Sequence, residues 1–129
     1  MPVPLWPIVV ILMLGKKGPG RFKSQLESAE LIELGREVGL NYDSSRIAAA
    51  IALAESGGRV RAVGDNGTSI GLWQIHVPTA PPPYNNKVKL YDADFNARAM
   101  ATISHNGADW TPWTTYRNGT YLRFFTVDT

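Results

Sequence analysis

The chain has 129 residues, 44% of them hydrophobic, 19% charged and 10% aromatic, enough to bury one core but too few for two ordinary domains. It has no cysteine, which excludes a disulfide framework, a thiolate metal site and a cysteine nucleophile. The net charge of +2 hides an asymmetry: Lys16, Lys17, Arg21 and Lys23 face no acid within the first 23 residues, and the rest of the chain holds nine bases against eleven acids. A nucleic-acid-binding domain carries its positive charge on the folded body, so no sequence-specific nucleic acid partner is expected.

Leu5 to Leu14 form an unbroken apolar run, followed by the basic, glycine-rich stretch Gly15 to Lys23. Ten helical residues reach about 15 Å, half of a ~30 Å hydrocarbon core. The positive charge follows the apolar run instead of preceding it, the reverse of a secretory signal. Pro2, Pro4 and Pro7, with β-branched residues from Ile8 to Ile11, favour an extended chain. Residues 1–23 are therefore expected to be a docking segment for a partner protein or an anchor at a membrane surface. A single domain over residues 24–129 is expected behind it.

Ser24-Gln25-Leu26-Glu27 has the spacing of a capping box and predicts a helix start. Leu31, Leu34, Gly35 and Val38 repeat at helical spacing, with Glu30, Glu33 and Glu37 on a solvated face. Gly39 predicts the stop, and Asp43 or Ser44 the cap of a second helix. From Ile47 to Ala54 that helix is apolar all round, which predicts a central, buried element. It ends in Glu55-Ser56-Gly57-Gly58. A carboxylate there opposes the negative end of the helix dipole, and burial disfavours its charged form. Both effects raise its pKa and suit it to donate a proton.

Residues 59–76 surround an Asn66-Gly67 turn and predict a small β-hairpin excursion. Pro78, Pro81, Pro82 and Pro83 predict an irregular loop beside a cleft. Asp92 or Asp94 predicts a third helix, with Phe95, Ala99, Thr102 and Ile103 on its inner face and an end near Asn106-Gly107. Trp110, Trp113, Tyr116 and Tyr121 follow in an aromatic tail, where each ring is core packing or a sugar platform. His76 and His105 lack ligand spacing; no metal or cofactor is expected.

Ala54-Glu55-Ser56-Gly57-Gly58, then Gly71-Leu72-Trp73-Gln74-Ile75, Asn96-Ala97-Arg98-Ala99 and the Trp113 to Gly119 stretch resemble the lysozyme-like lytic transglycosylase (SLT-type) superfamily over residues 25–125. The resemblance implies a mainly α, α+β fold: a helical, two-lobed domain with a glycan cleft. It implies cleavage of the β-1,4 bond between N-acetylmuramic acid and N-acetylglucosamine, with Glu55 as the acid and then the base. The family's Gly-Leu-Met-Gln element falls on Gly71 to Gln74, with Trp73 for methionine, and its Ala-Tyr-Asn-x-Gly element on Thr115 to Gly119. There Tyr116 matches and the asparagine, Asn118, arrives one position late.

A transglycosylase needs no second carboxylate. A hydrolase more often uses one, and Asp65 and Asp109 are the candidates; Asp65 is equally a turn residue. Ser56 either orients Glu55 or satisfies helix-end carbonyls. Ser69, Gln74, Trp73 and Tyr116 are the candidate substrate contacts, with peptidoglycan strands as the partner. The expected setting is a bacteriophage particle that opens the wall for genome delivery, with a bacterial envelope protein as the alternative. The rival from another class is a structural virion protein keeping an inactive domain for glycan binding or assembly.

Overall fold

The computed structural model describes residues 23–125; the predicted docking segment falls, Lys23 apart, outside the described residues. The expected mainly helical, α+β architecture is present. Helices α1 (Ser28–Glu37), α2 (Tyr42–Ser56) and α3 (Ala93–Ile103) enclose the core, with a three-stranded sheet of β1 (Val63–Gly64), β2 (Ser69–Ile70) and β3 (Ile75–His76) between α2 and α3 in the chain. A one-turn helix α4 (Thr114–Arg117) follows. Among the described residues no helix is long and apolar enough to cross a membrane.

Helix α1 begins three residues later than the Ser24 cap predicted. Glu27 is its cap, and its N–H donates to the Glu30 carboxylate at 2.9 Å. Leu26 and Leu31 flank this cap at the positions of a hydrophobic staple, and both are buried. Ser24 to Leu26 instead run extended against the chain after α2: Val60 N–H donates to Ser24 O at 3.0 Å and Leu26 N–H to Gly58 O at 2.8 Å. The tertiary pairing and the staple together outweigh the Ser24 capping signal.

Helix α2 is capped by Asn41, whose Oδ1 accepts from Ser44 N–H at 2.8 Å, and not by Asp43 or Ser44. Its unbroken buried run from Ala48 to Ala52 makes it the central element, as its composition predicts. Small side chains let α1 approach closely: a Cβ on Gly35 would sit 2.9 Å from Ser45 Oγ. Gly57 closes α2 in the left-handed region at φ 65°, leaving Glu55 in the last turn.

The sheet is antiparallel in the order β1-β2-β3, with Gly64 opposite Ser69 and Ser69 opposite His76. The predicted hairpin is thus present, with a third strand added. Its turn is a single 3-10 turn over Asp65–Gly67 with Asp65 and Asn66 both at positive φ, a conformation that Asp and Asn tolerate better than most residues.

Asp92 caps α3 as predicted, its Oδ2 accepting from Phe95 N–H at 2.9 Å. The inner face matches expectation at Ala99, which is buried, and differs at the other predicted positions. Ala93, Asn96, Ala97 and Met100 are buried, whereas Thr102 is exposed and Phe95 and Ile103 are half-buried. The helix is turned so that its alanines pack closely and Asn96 reaches three backbone groups: Nδ2 donates to Ile70 O and Leu90 O, each at 2.9 Å, and Oδ1 accepts from Trp73 N–H at 3.0 Å.

Candidate active site

A cleft of about 660 Å³ opens between the sheet, the proline loop, the C-terminal end of α3 and the segment leading into α4. Glu55 from α2 lies in its wall, with Asp65, Ser69, Gln74 and His76 from the sheet and Thr102, His105 and Thr114 from the other side. The loop after β3 borders it through Thr79 to Pro81, as the proline pattern predicts.

Glu55 is half-buried. Its Oε2 accepts from the Thr115 hydroxyl at 2.8 Å. Burial pushes the carboxyl above the usual carboxylate range, and the negative charge of Asp65 adds to the rise. The Thr115 hydroxyl and N–H work the other way but do not cancel the effect. The local reason for this placement is the glycine pair. With Gly57 left-handed and Gly58 so close to Leu26 O that a Cβ would overlap it, α2 ends against the strand-like Ser24–Leu26 segment.

Asp65 lies across the same cleft and accepts from Ser69 Oγ at 2.6 Å. Ser69 is buried, and His76 Nδ1 lies 3.4 Å from its hydroxyl. The candidate second carboxylate is therefore in the cleft and held by a neighbour. Asp109 is elsewhere: it is exposed, and the hydroxyl and N–H of Thr111, at 2.6 and 3.0 Å, hold it below the usual range. These bonds make it a turn residue.

The remaining candidates divide. Gln74 lines the cleft, but its Nε2 already donates to Gly71 O at 3.1 Å and Ala62 O at 3.2 Å, tying the sheet together. Ser56 is buried, donates to Ala52 O at 2.9 Å and accepts from Gly58 N–H at 3.2 Å; it satisfies the helix end. Trp73 is fully buried and cannot be a sugar platform. Gly71, at φ 80°, turns the chain inward, and the Trp73 indole donates to Ala48 O at 2.9 Å.

Tyr116 does not line the cleft either. Its ring packs on Tyr121 with centroids 4.8 Å apart, and its neighbour Thr115 takes the place beside Glu55. The Trp113 indole donates to Trp73 O at 2.9 Å, which sets the rotation of α4 and turns Thr114 and Thr115 toward the cleft. Asn118 accepts from Thr120 in an exposed turn. Thr115 as the partner of Glu55, and His76, His105 and Thr114 as cleft residues, are roles that sequence reading does not assign; only the position of Thr115 beside Tyr116 pointed that way. Among the described residues no cluster of three or more His, Asp and Glu could hold a metal ion.

The arrangement offers one carboxyl that keeps its proton to higher pH, fixed by Thr115, with a second carboxylate in the same cleft. The family described as a lysozyme-like domain matches the chain over residues 32–115, well over half its length. No curated protein and no solved structure matches it.

Proposed function

Because the chain belongs to the lysozyme-like domain family, whose activity is peptidoglycan-related glycan cleavage, we propose that it cleaves the β-1,4 bond between N-acetylmuramic acid and N-acetylglucosamine, with Glu55 as acid and then base. The observation that carries this reading is the state of Glu55: raised in pKa by burial, held at Oε2 by Thr115, and lining the cleft. A general acid must be protonated at working pH and within reach of the leaving oxygen.

In this reading the Glu55 carboxyl gives its proton to the glycosidic oxygen as the bond from that oxygen to muramic C1 breaks, and the substrate's N-acetyl group shares the charge at C1. The Glu55 carboxylate then takes the proton of the muramic C6 hydroxyl as O6 bonds to C1, closing a 1,6-anhydro ring. Hydrolysis would instead use a water on C1, with Asp65 as the second carboxylate.

The test is mass spectrometry of muropeptides released from purified peptidoglycan, with Glu55→Gln alongside. Anhydro-muramic ends, one water lighter, are expected from the wild type and not from the variant. Reducing ends would overturn the ring-closing step in favour of hydrolysis. No release from a folded wild-type protein would overturn the enzyme reading in favour of a glycan-binding or assembly module.

The setting we propose is a bacteriophage particle, with the apolar run before Gly15 docking on a virion protein. The support is the composition of that run. Removal of residues 1–23 is expected to leave turnover on soluble strands intact and abolish incorporation into the particle. Incorporation of the truncated chain would overturn the assignment.

A further inference from the structure

The proline loop separates the cleft from a second depression. Pro81 borders the cleft and Pro83 borders a groove of about 910 Å³, so the two walls are at most about 7 Å of chain apart. The groove floor is aromatic: the rings of Tyr84 and Phe95 meet with centroids 5.2 Å apart, and Tyr91 lies in the same wall.

Two cations stand over these rings, Arg61 at 4.5 Å from the Tyr91 centroid and Lys89 at 5.9 Å from that of Phe95. Both are exposed, and neither has a carboxylate partner among the described residues. The one carboxylate in the groove wall, Asp92, is committed to the Phe95 N–H. The other two cations at the rim, Lys23 and Arg98, are already paired with Glu30 and Asp94. The cleft has the opposite character, with the Asp65 carboxylate and no lysine or arginine in its lining. An anionic chain is therefore disfavoured in the cleft and favoured in the groove.

Resting on the reading of the chain as a peptidoglycan-cleaving enzyme, we propose that this groove holds the carboxylate-bearing peptide stem of the glycan strand that occupies the cleft. Arg61 and Lys89 are its carboxylate partners, and Tyr84, Tyr91 and Phe95 its apolar floor. A guanidinium resting on a ring keeps its planar fork free for two parallel hydrogen bonds to a carboxylate. The stem leaves the strand at the muramic lactyl group, on the sugar whose C1 is attacked, and crosses the proline ridge from one depression to the other.

The experiment compares turnover of soluble glycan strands that carry their stems with the same strands stripped by an amidase. The wild type is expected to show a lower KM on the stem-bearing strands. Arg61→Ala with Lys89→Ala is expected to raise that KM roughly tenfold, with kcat unchanged and no effect on stripped strands. Equal KM values for the two substrates, or an equal loss on both, would overturn the proposal.

A second measurement does not depend on catalysis. Titrating an acidic tetrapeptide of the wall-stem type into the Glu55→Gln protein is expected to shift the NMR signals of Tyr91 and Phe95, and its carboxamide counterpart is expected not to. No shift, or the same shift with both peptides, overturns the groove assignment. Absence of turnover on either strand with the peptide shift intact would instead overturn the catalytic reading.

Discussion

Thr115 Oγ1 lies 2.8 Å from Glu55 Oε2, although sixty residues separate the two in the chain. The contact joins the last turn of the buried helix to the aromatic C-terminal segment across one side of the cleft. A hydroxyl donating to Oε2 disfavours the acid's proton on that oxygen.

Replacing Thr115 by Val removes a hydrogen bond that favours the charged carboxylate, so the pKa of Glu55 rises. The alkaline limb of the kcat profile, where the acid loses its proton, is expected to move to higher pH. Turnover at the optimum falls because Oε2 is no longer held. Thr115→Ser restores both. A variant with reduced turnover and an unmoved profile would contradict the positioning role.

The Asp65 charge acts in the opposite sense, raising the Glu55 pKa. Asp65→Asn is therefore expected to move the same limb to lower pH while the released ends stay anhydro. Loss of all turnover, together with reducing ends from the wild type, would make Asp65 part of the hydrolytic chemistry.

The raised pKa also has a signature in stability. A carboxyl whose folded pKa exceeds its unfolded one contributes stability that is fully present below the unfolded value, about 4.3 for glutamate, and is lost as pH rises through the folded value. Glu55→Gln removes this dependence. The variant is expected to melt higher than the wild type at neutral pH, with the gap closing below about pH 4. Thermal melts across this range give the comparison; a constant gap would mean that Glu55 is not perturbed by folding.

Asn96 makes three buried hydrogen bonds that hold the backbone at Ile70, Trp73 and Leu90. Asn96→Ala is expected to cost about 3 kcal/mol or more, since three buried backbone groups lose their partner. Gly71→Ala strikes the same contact from the other side: its Cβ would overlap Asn96 Nδ2 and lie 2.7 Å from Leu90 O, at φ 80°. Urea unfolding of both variants measures the effect, and losses below about 1 kcal/mol would show that the loop does not depend on this anchor.

Much of the frame is written in local signals. The apolar run of α2, the Gly57 stop, the Asn66-Gly67 turn and the Asp92 cap each act within a few residues. That is enough to place Glu55 at the end of a buried helix and to draw the family resemblance. The capping box at Ser24 misled because a second box, Glu27 to Glu30, lies three residues on, and the choice between them rests on pairing with Arg59 and on the burial of Leu26.

Which polar and aromatic side chains face the cleft was a tertiary decision. Trp73 turns inward because Gly71 bends the chain and Ala48 and Asn96 offer partners from two other helices. Tyr116 yields to Thr115 because the Trp113 indole anchors α4 to Trp73 O, forty residues away. Short, irregular elements have no period from which to read a facing side. Their rotation is set by a few long-range hydrogen bonds, and those form only once the helices have packed.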